Sequence, residues 1–186
     1  MKKLLLIMGD LATGKTTFAH ALSKRYDTPM FFKDVIKETL GDTIGFSNRE
    51  ENLKLSHASM ELMFLIFSEF AKLDKDLILE SNFHRAELEK IHEMAQDYGY
   101  EVLTLVLRGD LEIIHKRYLH RVHHENRHPV HLSTPFDLFE EFKAYIEHSR
   151  TELPLGEAVY IQADTFDYQT DEDLLKKLDV FMGISR

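Results

Sequence analysis

The 186-residue chain has no cysteine. That absence excludes disulfide scaffolds, thiolate metal sites and cysteine nucleophiles together. Proline is scarce at four residues and glycine numbers eight. They nowhere gather into a linker and there is no internal repeat, so a single domain over 1–186 is expected. Long apolar runs are missing too. The run Leu4–Met8 after Met1-Lys2-Lys3 is five residues long, against roughly 7–15 for an export segment. Nothing approaches the ~20 apolar residues of a membrane span, so a cytoplasmic setting with no membrane partner is expected. Positive charge is not in excess either. The net charge of −9 argues against a general nucleic-acid or acidic-membrane binder. What is present, 44% hydrophobic and 30% charged residues, suits a globular core, and a chain this long buries roughly 70% of its unfolded surface.

Five short apolar runs read as strands: Leu4–Met8, Met30–Phe32, Leu77–Leu79, Val102–Leu107 and Ala158–Ile161. They mostly do not alternate with polar residues, as expected of parallel strands covered on both faces. Segments of helical spacing separate them: Lys15–Tyr26, Asn52–Leu73, Arg85–Tyr98, Leu111–His124, Phe136–His148 and Asp171–Phe181. This alternation predicts an α/β fold, a doubly wound parallel sheet of five strands with right-handed crossovers. Met60, Met63, Phe64, Phe67 and Phe70 sit at helical spacing, which favours core packing over the lining of a pocket.

The strongest motif is Gly9-Asp10-Leu11-Ala12-Thr13-Gly14-Lys15-Thr16. It satisfies G-x-x-x-x-G-K-[ST] at every fixed position, with a strand before and a helix after. Gly9 and Gly14 permit a turn that brings backbone N–H groups around a polyphosphate. The helix opening at Lys15 aims its positive dipole end at the anion. Lys15 can reach β- and γ-phosphate oxygens, and the Thr16 hydroxyl can ligate Mg²⁺. Residues 9–17, including Thr17, are the candidate nucleotide-binding residues. Nothing resembles the N-K-x-D guanine-reading segment of GTPases, and there is no room for the extra helical domain of ring-forming ATPases. ATP with Mg²⁺ is the expected nucleotide.

In doubly wound sheets, ligands sit beyond the carboxyl ends of the strands. Asp34 and Glu80 fall there. A carboxylate that orients an acceptor hydroxyl and takes its proton would serve phosphoryl transfer. Asp34 is assigned as acceptor-binding group and general base. Glu80 is assigned to magnesium, directly or through its water, or to a second acceptor contact, and the two roles are exchangeable. Asn82 is a further acceptor contact. The structural alternatives are an N-cap role for Asp34 on a Val35–Leu40 helix and a solvated strand end for Glu80.

Residues 115–131 hold Lys116, Arg117, Arg121 and Arg127 against Glu125 alone, a net of +3 in an acidic chain. Arg117 and Arg121 share one helix face, while Leu111, Ile114, Tyr118 and Val122 form the inward stripe. The segment, about 110–134, reads as an arginine lid. Arg121 and Arg127 would stabilise the transferring phosphoryl group, with Arg117 behind them. Six of the eleven histidines also lie here. Without cysteine or a helical H-E-x-x-H pattern, they read as phosphate hydrogen-bonding groups and helix polarity rather than as a zinc site.

On these pieces the chain resembles small P-loop kinases of the AAA-type ATP-binding superfamily, akin to chloramphenicol phosphotransferase, zeta toxin and the kinase domain of polynucleotide kinase. The matching segments are Gly9–Thr16, Phe32–Leu40, Leu77–Phe83 and Arg127–His131. The resemblance implies sheet order 2-3-1-4-5 and an acceptor pocket between the second strand and the long helix pair. It also implies a catalytic acid at Asp34, a lid supplying arginines, and adenine packed against Gln162-Ala163-Asp164-Thr165. Two departures stand out. The loop that often reads R-H-P-G-H in relatives has Val130 in place of the glycine, and the third strand ends in Glu80 rather than Asp.

The resulting expectation is an ATP-dependent phosphotransferase acting on a hydroxyl of a small molecule such as a nucleoside, nucleotide, sugar-like metabolite or antibiotic. The alternatives are a polynucleotide end kinase, which the net charge disfavours, and a nucleotide-dependent switch without a small acceptor. Acceptor identity and oligomeric state are not readable from the sequence.

Overall fold

The unalternated apolar runs become the strands of one sheet in the computed structural model, which describes residues 1–125, 127–131 and 136–184. Residues 126 and 132–134 of the expected lid, and 185–186 of the expected domain, lie outside that description. The strands are β1 (Lys2–Gly9), β2 (Met30–Phe32), β3 (Leu77–Glu80), β4 (Tyr100–Arg108) and β5 (Glu157–Gln162). All pairings are parallel, in the order β2-β3-β1-β4-β5, as the resemblance implied. The register sets Ile7 beside Glu80 and Gly9 beside Leu107. The carboxyl ends of the three central strands therefore finish at one edge, where the phosphate loop begins.

Seven α-helices are described: α1 (Lys15–Tyr26), α2 (Lys33–Ile44), α3 (Arg49–Lys72), α4 (Arg85–Tyr98), α5 (Leu111–His124), α6 (Phe139–Ser149) and α7 (Glu172–Phe181). Leu5 and Ile7 of β1 face α1 and α7 through Phe18, Leu22, Leu178 and Phe181. Leu4, Leu6 and Met8 face α3 and α4 through Met60, Met63, Phe64, Phe67 and Ile91. The methionines and phenylalanines of α3 thus belong to the core, where a fully buried large apolar side chain stabilises the fold by about 1.5–3 kcal/mol.

Three helices differ by more than one residue from the sequence reading, for local reasons. α3 starts three residues early because Asn48 caps it: Glu51 N–H donates to Asn48 Oδ1 at 2.9 Å, and Glu51 Oε2 accepts from Ser47 N–H at 2.6 Å. Its first turn is polar, so apolar periodicity could not reveal it. α2 runs on to Ile44 and ends at Gly45, which has φ 79°. α6 begins at Phe139, not Phe136. Phe136 instead packs on Tyr118, Phe142 and Tyr145. Among the described residues, no helix is long and apolar enough to cross a membrane.

Candidate active site

The phosphate loop has its shape because backbone comes very close at its start. Gly9 has φ 123°, and a Cβ on it would stand 2.0 Å from the Leu107 carbonyl oxygen. Asp10 N–H donates to that same oxygen at 2.8 Å. Ala12 takes a left-handed φ of 58°. Gly14, at φ 85°, is the N-cap of α1 and offers no side chain to its first N–H groups. Those donors face outward at the positive end of the helix dipole. The Thr13 hydroxyl closes the loop onto Asp10 O at 2.8 Å, and Tyr168 OH donates to Thr13 O at 2.7 Å.

Lys15 folds back into the loop, its ammonium donating to Gly9 O at 3.1 Å and Asp10 O at 2.7 Å. Burial pulls its pKa below the ordinary lysine value, against the opposing negative charges of Glu80, Asp34 and Asp10. The Thr16 hydroxyl donates to Glu80 Oε2 at 3.0 Å. Glu80 is only 7% exposed, which corrects the solvated strand end considered from sequence. Burial pushes its pKa up, the charge of Lys15 pulls it down, and Asp34 adds to the rise. Asp34 sits in the first turn of α2, whose N-cap is Phe32. The N-cap alternative for Asp34 therefore falls away, and its side chain is exposed to the cleft.

One cavity of about 1340 Å³ gathers most of the expected residues: loop residues Leu11 to Thr17, then Asp34, Glu80, Asn82, Arg117, Arg121 and Arg127. Asn82 Oδ1 is buried there without a hydrogen-bond partner. Gly9 and Asp10 do not line the cavity. Gly9 makes the turn, and the Asp10 carboxylate points behind the loop toward Arg150, as described below.

The three arginines divide. Arg117 donates to the carbonyl oxygens of Ala163, at 2.7 Å, and Asp164, and lies 4.3 Å from the Phe166 ring centroid. It thus holds the 162–166 segment rather than standing free as a lid cation. Arg121 lies 3.7 Å from Glu125. Arg127 lies 5.7 Å from the Tyr118 ring centroid, and burial, then the neighbouring Arg121 charge, lower its pKa.

Sequence reasoning missed Phe136, Tyr145 and His148, which also line the cavity, beside the 3-10 turn Pro129–His131 of the matched Arg127–His131 segment. That turn is pinned to α2 and α3: His128 Nε2 meets Asp42 Oδ1 at 3.0 Å, His131 Nε2 meets Glu38 Oε1 at 2.8 Å, and Asn52 Nδ2 donates to Val130 O at 2.9 Å. Gly41 lies beneath, where an added Cβ would stand 2.6 Å from Val130 Cγ1. No periodic or motif signal marks these contacts; only the folded register brings them together.

The AAA domain family matches residues 4–147. The chain belongs to this family. Three solved structures set the AAA domain among its structural relatives. A candidate kinase from Chloroflexus aurantiacus matches with TM-score 0.80 and 22% identity, over 100% of this chain and 99% of that one. Shikimate kinase from Bacteroides thetaiotaomicron matches with TM-score 0.64 and 15% identity, over 98% and 99%. The tunicamycin resistance protein of Deinococcus radiodurans matches with TM-score 0.63 and 18% identity, over 100% and 98%. At these identities the likeness is one of fold, that of a small P-loop kinase. No curated protein matches the sequence.

Proposed function

We propose that the protein is an ATP-dependent phosphotransferase that moves the γ-phosphate to a hydroxyl of a small molecule. One observation carries this reading: one cavity is lined together by Lys15, Thr16, Glu80, Asp34, Arg121 and Arg127. The donor set suits a magnesium-bound triphosphate. Loop N–H groups and Lys15 would hold the phosphates, and Thr16 and Glu80, already hydrogen-bonded, would hold the ion or its water. When bound, the ion would neutralise charge on the phosphates.

The difference in setting between the two acids supports a division of labour. Glu80 is buried beside Lys15 and Thr16, whereas Asp34 faces the open cleft. Asp34 therefore orients the acceptor hydroxyl and takes its proton. The Arg121 charge lies close enough to disfavour that of Arg127, an arrangement that an incoming anion relieves. They stabilise charge on the transferring group and, as part of a lid, exclude water. Arg117 holds the 162–166 segment, where the adenine would rest. The histidine-pinned turn Pro129–His131 and the Phe136–Tyr145 pair wall the acceptor side.

The test is ATP turnover with Mg²⁺ across a panel of nucleosides, nucleotides, sugars, hydroxy acids and antibiotics. At least one acceptor is expected to raise ADP formation well above the acceptor-free rate and to carry the phosphate afterwards. Hydrolysis that no acceptor stimulates would instead assign a nucleotide-dependent switch. Phosphate appearing on a polynucleotide end would assign an end kinase.

A further inference from the structure

The second residue of the phosphate loop is an acid whose side chain takes no part in lining the nucleotide cavity. Asp10 is 2% exposed. Its carboxylate accepts from Arg150 Nε at 3.1 Å, from Arg150 Nη2 at 2.6 Å and from Gly109 N–H at 3.0 Å. Arg150 Nη2 also donates to Gly109 O at 2.7 Å. Arg150 is the C-cap of α6, so one guanidinium fastens three segments that are far apart in sequence. These are the loop after β1, the end of β4 and the end of α6. Paired N–H···O bonds of this fork geometry fix direction as well as distance.

The attachment matters because the backbone of Asp10 serves the site on its other side. Asp10 O accepts both the Lys15 ammonium and the Thr13 hydroxyl. A rotation of the Asp10 peptide would carry Lys15 and the following N–H groups out of line. Ala12 of the same loop packs with Ile114, Tyr118, Phe142 and Ile146 of α5 and α6. The loop therefore rests on α5, which belongs to the proposed lid, and on α6 beyond it, and Arg150 is the polar fastening of that contact.

We infer that Arg150 is a positioning residue of the phosphate loop, acting through Asp10 to hold the loop in its phosphate-binding shape and to couple it to α6. Its side chain does not line the cavity. The inference rests on the nucleotide-binding reading above and goes beyond it, since none of the four matching segments includes Arg150.

The test is titration of Mg·ATP by calorimetry into the full chain and into Arg150→Met, Arg150→Lys, Asp10→Asn and the Arg150→Met/Asp10→Asn double variant. Melting curves are taken with and without Mg·ATP. Positioning predicts that Kd rises at least tenfold in Arg150→Met and less in Arg150→Lys, which keeps the charge but loses the fork. It also predicts that the double variant binds no more weakly than Arg150→Met alone, because both changes sever one linkage. The rise in Tm on adding Mg·ATP should shrink in the same order. A purely structural role would lower Tm in the absence of nucleotide and leave Kd within threefold of the parent, and that result overturns the inference. If Arg150→Met does not fold, Arg150→Lys and Asp10→Asn carry the same comparison. A parent chain that binds no Mg·ATP removes the nucleotide reading itself, a distinct outcome.

Discussion

The Thr16 hydroxyl stands 3.0 Å from Glu80 Oε2 and donates to it, so the two groups suited to a cation are joined before any cation arrives. The carboxylate is buried, and its pKa lies above the ordinary glutamate value of 4.5. Its ionised form is the one that binds a cation or orients its water. Activity that depends on this form must fall as pH drops through the raised pKa. The acid limb of the kcat/KM profile is therefore expected above pH 4.5. It should disappear or move in Glu80→Gln, together with a loss of apparent Mg²⁺ affinity. A limb at or below 4.5 would remove Glu80 from the metal role.

Lys15→Met should stop phosphate transfer while leaving the fold standing. The ammonium is buried at a site that disfavours its charge, and methionine fills much the same volume. Turnover is expected to drop by on the order of 10³ or more, with stability changed by no more than about 1–2 kcal/mol. Steady-state turnover and a denaturant melt check the two halves separately.

Asp34→Asn keeps the shape of the side chain and removes its basicity. Asp34 lines the same cavity as the phosphate loop and acts on Lys15 through its charge, so ATP affinity should change far less than kcat. The value of kcat should fall by roughly 10²–10⁴, as for a group acting mainly in the transition state. Unchanged turnover in this variant would strip Asp34 of the base role.

Gly9→Ala tests the turn itself. The added methyl would press on the Leu107 carbonyl at a backbone angle that disfavours L-residues. Strain and overpacking of about 1–3 kcal/mol each combine, so a loss above about 3 kcal/mol is expected, measured as a fall in Tm with parallel loss of nucleotide binding. A variant as stable as the parent would show that the loop can relax away from β4.

The parts legible in the sequence were those written in short-range code. Gly9 to Thr16 carries its chemistry in eight consecutive residues, and the strands announce themselves as apolar runs such as Leu77–Leu79. Burial of Glu80 was not legible, because it depends on what stands across from a strand end. Arg117 was read with Arg121 as a pair on one helix face; in the fold it turns instead to the carbonyls of Ala163 and Asp164, more than forty residues on. Arg150 offered no signal at all, being a lone cation at the end of an amphipathic helix. His128 and His131 looked like members of a histidine-rich run. Their carboxylate partners Asp42 and Glu38 lie on α2, outside any local window.

The Val130 departure from the R-H-P-G-H pattern finds its counterpart in Gly41. Space at that seam holds one side chain, and here the turn supplies it while the helix yields. Bulk could be traded across the seam but not doubled. Gly41→Val alone would pry the histidine-bearing turn off the helix, whereas Gly41→Val with Val130→Gly would swap the filling and let the cleft keep its outline.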